Sequence, residues 1–166
     1  MREILFRGKD SEVDVWHEGQ YIHLHKTTYC FSGSAEREAE NEIHQIVFEQ
    51  MTDWNLPNRH LRADVLPETV GQFTGLKDKN FKRIFEGDIL ESRASENKLD
   101  WKRWKVHFED GCFVFESFAK VVESRRKYRH EVNMLCADEI ELYGLVVVGN
   151  IHDNPELMEE GCEETN

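Results

Sequence analysis

His23 and His25 stand two residues apart, a spacing that puts two imidazoles on one face of a β-strand. With Cys30 or a distant carboxylate they would offer donors to a metal ion. No second well-spaced pair follows, so an ordinary strand carrying two histidines is the stronger reading, and neither a metal nor a cofactor is expected. Glu86 and Asp88 bracket Gly87, a layout open to acid and base roles, but glycine beside aspartate is first of all turn chemistry. The glycines of Gly71-Gln72-Phe73-Thr74-Gly75 lack the lysine of a phosphate loop, and no G-x-S-x-G elbow occurs. No catalytic residue is expected. The most distinctive stretch is basic and aromatic, Trp101-Lys102-Arg103-Trp104-Lys105, followed by Arg125-Arg126-Lys127-Tyr128-Arg129. Stacking rings beside cations are how RNA and single-stranded DNA are held, which makes Trp101, Lys102, Arg103, Arg125, Arg126 and Lys127 candidates for binding nucleic acid or a protein partner. Trp104, however, is claimed by the apolar face of a hairpin.

Those residues need elements to position them. The chain has 166 residues, 39% of them apolar, enough for one or two small domains. Charge is uneven along the chain. Residues 1–97 carry a net −6, residues 98–129 a net +4 and residues 130–166 a net −10, for a total of −12. Such a field disfavours non-specific polyanion binding outside the middle window. It also makes that window complementary to the acidic C-terminal segment, so that one copy could dock against another or against the rest of its own chain. The four cysteines, Cys30, Cys112, Cys136 and Cys162, form no C-x-x-C pair and read as reduced thiols. Apolar runs such as Leu145–Val148 fall far short of the roughly 18–20 residues of a membrane span. With no signal-peptide pattern after Met1, a cytoplasmic protein with no membrane partner is expected.

A short strand at 3–7 ends at Gly8, and a hairpin is predicted over 13–25 with Glu18-Gly19 as its turn, pairing Trp16 with Tyr21. From Ala35 to Met51, apolar residues at steps of three and four predict an amphipathic helix capped by Ser34, with a strand over His44–Glu49 as the competing reading. A loop over 52–66 ends at Pro67, the best domain boundary. Strands follow at 68–74 and on either side of Glu86-Gly87. Asp110-Gly111 predicts a two-residue hairpin in which Phe108 faces Phe113, Val106 faces Phe115 and Lys105 opposes Glu116. The apolar run 143–149 reads as a central strand, and Asn154-Pro155 starts a helix. The architecture expected is α+β, mainly β: an N-terminal α+β portion (1–66), a small antiparallel barrel (67–158) and an acidic tail (159–166).

Three segments then carry a resemblance: Val70-Gly71-Gln72-Phe73-Thr74-Gly75-Leu76-Lys77-Asp78-Lys79-Asn80, Ile84-Phe85-Glu86-Gly87-Asp88-Ile89, and Val148-Gly149-Asn150-Ile151-His152-Asp153-Asn154-Pro155-Glu156-Leu157. They resemble the YopX proteins, encoded mainly by bacteriophages and prophages, and the opening Met1–Gly8 is similar too. The resemblance implies an SH3-like barrel in the C-terminal part and a protein without a known biochemical role, catalytic set or cofactor. The absence of catalytic signatures and the bipolar charge layout, rather than the resemblance, point to an accessory protein that works by protein contact, in a homo-oligomer or on a host or phage protein, with RNA or single-stranded DNA binding as the alternative and an unrecognised hydrolase a distant third. The sequence departs from relatives at Phe81, where they commonly have glycine, and the left-handed position is expected to pass to Asn80.

Overall fold

The computed structural model describes residues 3–27, 41–95, 102–117 and 132–158. The chain divides into two compact units, Met1–Gln72 and Phe73–Asn166, and passes from one to the other within a strand.

The N-terminal unit is all β among the described residues, which corrects the α+β expectation. Its strands are β1 (Phe6–Lys9), β2 (Trp16–His25), β3 (Glu42–Gln50) and β4 (Arg59–Asp64), antiparallel in the order β4-β3-β2-β1. A 3-10 turn over Pro67–Thr69 leads into β5 (Gly71–Lys77), whose first residues pair with Arg7 and Phe6. The strand expected at 68–74 therefore starts and ends about three residues later.

The predicted turn at Glu18-Gly19 does not exist. β2 runs through it, pairing Gly19 with Phe6 on one side and Gln20 with Val47 on the other. Gly19 is there because a Cβ would overlap the carbonyl oxygen of Val47. It permits a close strand approach rather than a chain reversal. The preferred helix over 35–51 is also overturned: Glu42–Gln50 is a strand, the competing reading, and residues 35–40 with the Ser34 cap lie outside the described residues. Its steps of three and four mix two faces. Glu42, His44, Ile46 and Phe48 lie on one, and Ile43, Gln45 and Val47 on the other, as pairing with β2 and β4 demands. The loop expected over 52–66 contains β4. Among the described residues of this unit, Ile46, Ala63 and Val65 are the buried apolar side chains.

In the C-terminal unit the rest of β5 pairs with β6 (Arg83–Phe85). The remaining strands, β7 (Asp88–Ser92), β8 (Arg103–Glu109), β9 (Cys112–Ser117), β10 (Val132–Met134) and β11 (Leu145–Asn150), form an antiparallel sheet ordered β10-β9-β8-β7-β11. This sheet is open: β10 and β11 are its edges, and among the described residues no pairing joins them, so the expected small barrel is not closed by strand pairing. The β8–β9 hairpin has the predicted register, with Asp110 and Gly111 at φ 48° and 85° and Lys105 2.9 Å from Glu116. Trp104, Val106, Phe113 and Phe115 join Ile84, Leu90, Leu135, Ile140 and Leu145 in one apolar core.

A helix α1 (Ala137–Tyr143) that periodicity did not announce packs Ile140 into this core and ends at Gly144, φ 58°, whose N–H donates to the carbonyls of Glu141 and Ile140. The helix expected after Asn154 is a 3-10 turn over Pro155–Met158.

The apolar run at 143–149 supplies an edge strand, not a central one. What makes an edge look central is the cover on its outer side, where Lys79 N–H donates to the Leu145 carbonyl (3.0 Å) and Val147 N–H to Asp78 Oδ2 (2.9 Å). Asp78 Oδ1 meanwhile accepts from Asn80 and Lys82 N–H, both at 2.8 Å. In that turn the left-handed residue is Phe81 itself, φ 65° and 80% exposed, not Asn80. Its side chain escapes into solvent, which avoids the packing conflict but not the backbone strain.

Candidate functional site

Consecutive odd-numbered residues of β2 share a face, so Tyr21, His23 and His25 point the same way. The β2–β3 register sets Ile46 opposite Tyr21, His44 opposite His23 and Glu42 opposite His25. One sheet face thus changes along its length from buried aliphatic at Ile46 to a group of imidazoles around one carboxylate. The open end of the strand pair is tied by Asn41, whose side chain accepts from Thr27 N–H (2.8 Å) and donates to the Thr27 carbonyl (2.6 Å). That clamp fixes the start of β3 and with it Glu42.

Glu42 Oε2 lies 3.0 Å from His44 Nε2 and 3.5 Å from His23 Nε2. The rings of His23 and His44 stack at 4.5 Å with 14° between their planes, and His23 meets His25 at 5.5 Å. On its far side His44 Nδ1 shares a 2.6 Å hydrogen bond with the Tyr21 hydroxyl. With His44 neutral, the chain reads Tyr21 O–H to Nδ1, then Nε2–H to Glu42. The hydrogen bond from His44, with the charges of His23, His44 and His25 behind it, holds the Glu42 carboxyl below its usual range, against a smaller opposing effect of burial. Burial, with the Glu42 charge second, pushes the Tyr21 hydroxyl up. Tyr21 accordingly stays a neutral donor or acceptor.

The sequence singled out His23 and His25 but not their partners. Glu42 and His44 were hidden by the helical reading of 35–51, although the alternation Glu42, His44, Ile46, Phe48 was a signal for them. Cys30 lies outside the described residues.

The other candidates part company. Arg103 donates to Glu91 Oε2 (3.0 Å), and Glu91, 5% exposed, also takes Arg93 (3.1 Å). Lys102 is exposed and adjacent. Trp104 is buried, edge-on to Phe115. Trp101, Arg125, Arg126 and Lys127 lie outside the described residues. Glu86 and Asp88 form a turn: Asp88, fully buried, accepts Phe85 N–H at 2.7 Å, and Gly87 has φ 80°.

The three resemblance-bearing segments share a physical theme. Asp78 accepts the backbone N–H groups of Asn80, Lys82 and Val147, Asp88 accepts that of Phe85, and Asn150 Oδ1 accepts those of His152 and Asp153, both at 2.9 Å. All three are turns fastened by a side-chain oxygen.

A family model described as YopX protein matches residues 5–159. The chain belongs to the YopX family. No curated protein matches it. Among solved structures, this YopX chain is similar to one described as the crystal structure of protein EF1440 from Enterococcus faecalis, with 24% sequence identity, 95% of this chain and 99% of that chain covered, and a TM-score of 0.47. No described helix of this YopX chain is long and apolar enough to cross a membrane.

Proposed function

We propose that this chain is a non-enzymatic phage or prophage accessory protein of the bacterial cytoplasm that works by protein contact, with a second copy of itself as the first partner. The observation that carries the reading is the connection between β3 and β4. It is held by its own hydrogen bonds, Trp54 N–H to Asp53 Oδ1 (2.7 Å), Leu56 N–H to the Asp53 carbonyl (3.1 Å) and Thr52 Oγ1 to the Pro57 carbonyl (3.1 Å). Yet it turns its large apolar side chains outward: Met51 is 80%, Trp54 92% and Leu56 60% exposed. An ordered loop presenting tryptophan, methionine and leucine to water has the composition of an interface anchor, since ordering is already paid for before binding. The acidic and basic stretches of the sequence supply complementary charge for the same purpose. The nucleic-acid reading has less support, because Trp104 is committed to the core and Arg103 to Glu91.

Light scattering over a series of protein and salt concentrations tests the proposal, with Trp54→Ser and a Met51→Ser/Leu56→Ser pair beside the wild type. The wild type is expected to associate and both variants to stay monomeric. A wild type that is monomeric throughout would refute self-association, and quenching of its tryptophans by oligonucleotides at low salt would favour the nucleic-acid alternative.

A further inference from the structure

His23, Glu42 and His44 bring three ligand atoms within 4.8 Å of one another on one sheet face, and two of the three separations are 3.0 and 3.5 Å. Ligand atoms about 2.0–2.2 Å from a zinc-sized ion in tetrahedral array stand roughly 3.3–3.6 Å apart, so the two separations to Glu42 are already close to those of a coordination shell. We propose that His23 Nε2, His44 Nε2 and a Glu42 carboxylate oxygen form a binding site for a late first-row divalent cation, zinc foremost, and that His25 closes it as a fourth ligand.

Four features of the structure support this. The donors are two imidazoles and a carboxylate, a set that suits zinc, copper and nickel and does not suit calcium or magnesium. They sit on paired strands, with His23 directly opposite His44, so the backbone fixes their separation before any ion arrives. His44 is backed by the Tyr21 hydroxyl at 2.6 Å. When Nε2 holds an ion, Nδ1–H donates to the Tyr21 oxygen, the outer contact that orients a metal-bound imidazole. Finally, His25 occupies the position opposite Glu42, and its ring stands 5.5 Å from that of His23. A rotation about its side-chain bonds would have to bring it to the open side of the triad. The ion would take the place of the proton that links His44 to Glu42, and the strand pairing need not change.

Other imidazole–carboxylate contacts, His60 with Glu49 and His107 with Glu109 and Glu116, offer one histidine each and serve as internal controls. Zinc titrated into the full chain by calorimetry near neutral pH, with cobalt absorption spectra as a second readout, tests the assignment. One ion per chain is expected, with the intense visible bands of tetrahedral cobalt. His23→Gln/His44→Gln should weaken zinc at least a hundredfold, and His60→Gln/His107→Gln should leave it unchanged. Tyr21→Phe should weaken it by about tenfold or more, the size of an outer-contact loss. Because His44 packs between Tyr21 and His23, the single His23→Gln variant, on a half-exposed side chain, gives the same test with the fold undisturbed. A wild type that shows no saturable zinc binding, or a His23→Gln variant that binds as tightly as the wild type, would overturn the site. So would equal losses in the control pair.

Discussion

Removing the buried Asp78 carboxylate should be one of the most damaging single polar changes in this protein, and its cost can be worked from the bonds. The residue is 5% exposed and receives Asn80, Lys82 and Val147 N–H at 2.8, 2.8 and 2.9 Å. Hydrogen bonds to an ionised acceptor contribute about 1.5–3 kcal/mol each when one partner is deleted and the donor stays dry. Asn80 and Lys82 lie in a turn where water can replace the carboxylate, so each counts near the bottom of that range or below it. The Val147 N–H sits on the outer side of β11, 69 residues away in sequence, and counts near the top. Asp78→Ala should therefore cost about 3–5 kcal/mol, which for a chain of this length is a fall of roughly 10 °C in melting temperature. Asp78→Asn keeps one oxygen and should lose about half as much. Urea denaturation at neutral pH followed by tryptophan fluorescence measures both, and a loss below about 1 kcal/mol for the alanine variant would refute the assignment of the carboxylate as the clamp of β11.

Two further outcomes are expected. Phe81→Gly should raise stability by about 0.5–1 kcal/mol, because a left-handed non-glycine residue costs about 1–2 kcal/mol and glycine returns part of that as unfolded-state entropy; a lower melting temperature would show that the exposed ring is held by contacts the fold needs. Asp10 is held below the usual carboxylate range by the N–H groups of Glu12 and Val13 (2.8 and 3.0 Å), with His17 adding to the effect. A depressed folded value means its contribution is complete above the unfolded carboxylate value and is lost as pH falls through the folded one. Asp10→Asn should therefore flatten the decline in stability in the acid range, and parallel pH profiles for the two proteins would count against it.

Local chemistry made part of this fold readable. The β8–β9 hairpin followed from Asp110-Gly111 and strict alternation, because its turn and its two faces are written in adjacent residues. The redirection at Glu86-Gly87 followed for the same reason. Where the sequence misled, a residue had a long-range task that imitates a local signal. Gly19 imitates a turn residue but yields space to the Val47 carbonyl of another strand. The stretch from Ala35 to Met51 imitates a helix because both faces of β3, its described part, carry aliphatic residues. The run at 145–148 imitates a central strand because a turn nearly seventy residues earlier covers its flank. The candidate site was half visible for the same reason: His23 and His25 share a strand, but their partnership with Glu42 and His44 depends on strand pairing, which alternation alone does not specify.

The cap on β11 has a further consequence for how copies of this protein can meet. A strand whose outward amide and carbonyl are already engaged offers no template for a foreign strand to zip onto, so sheet-to-sheet growth is barred along the Leu145–Val147 flank. Release of that one turn would bare a β-branched ribbon open to pairing with another chain.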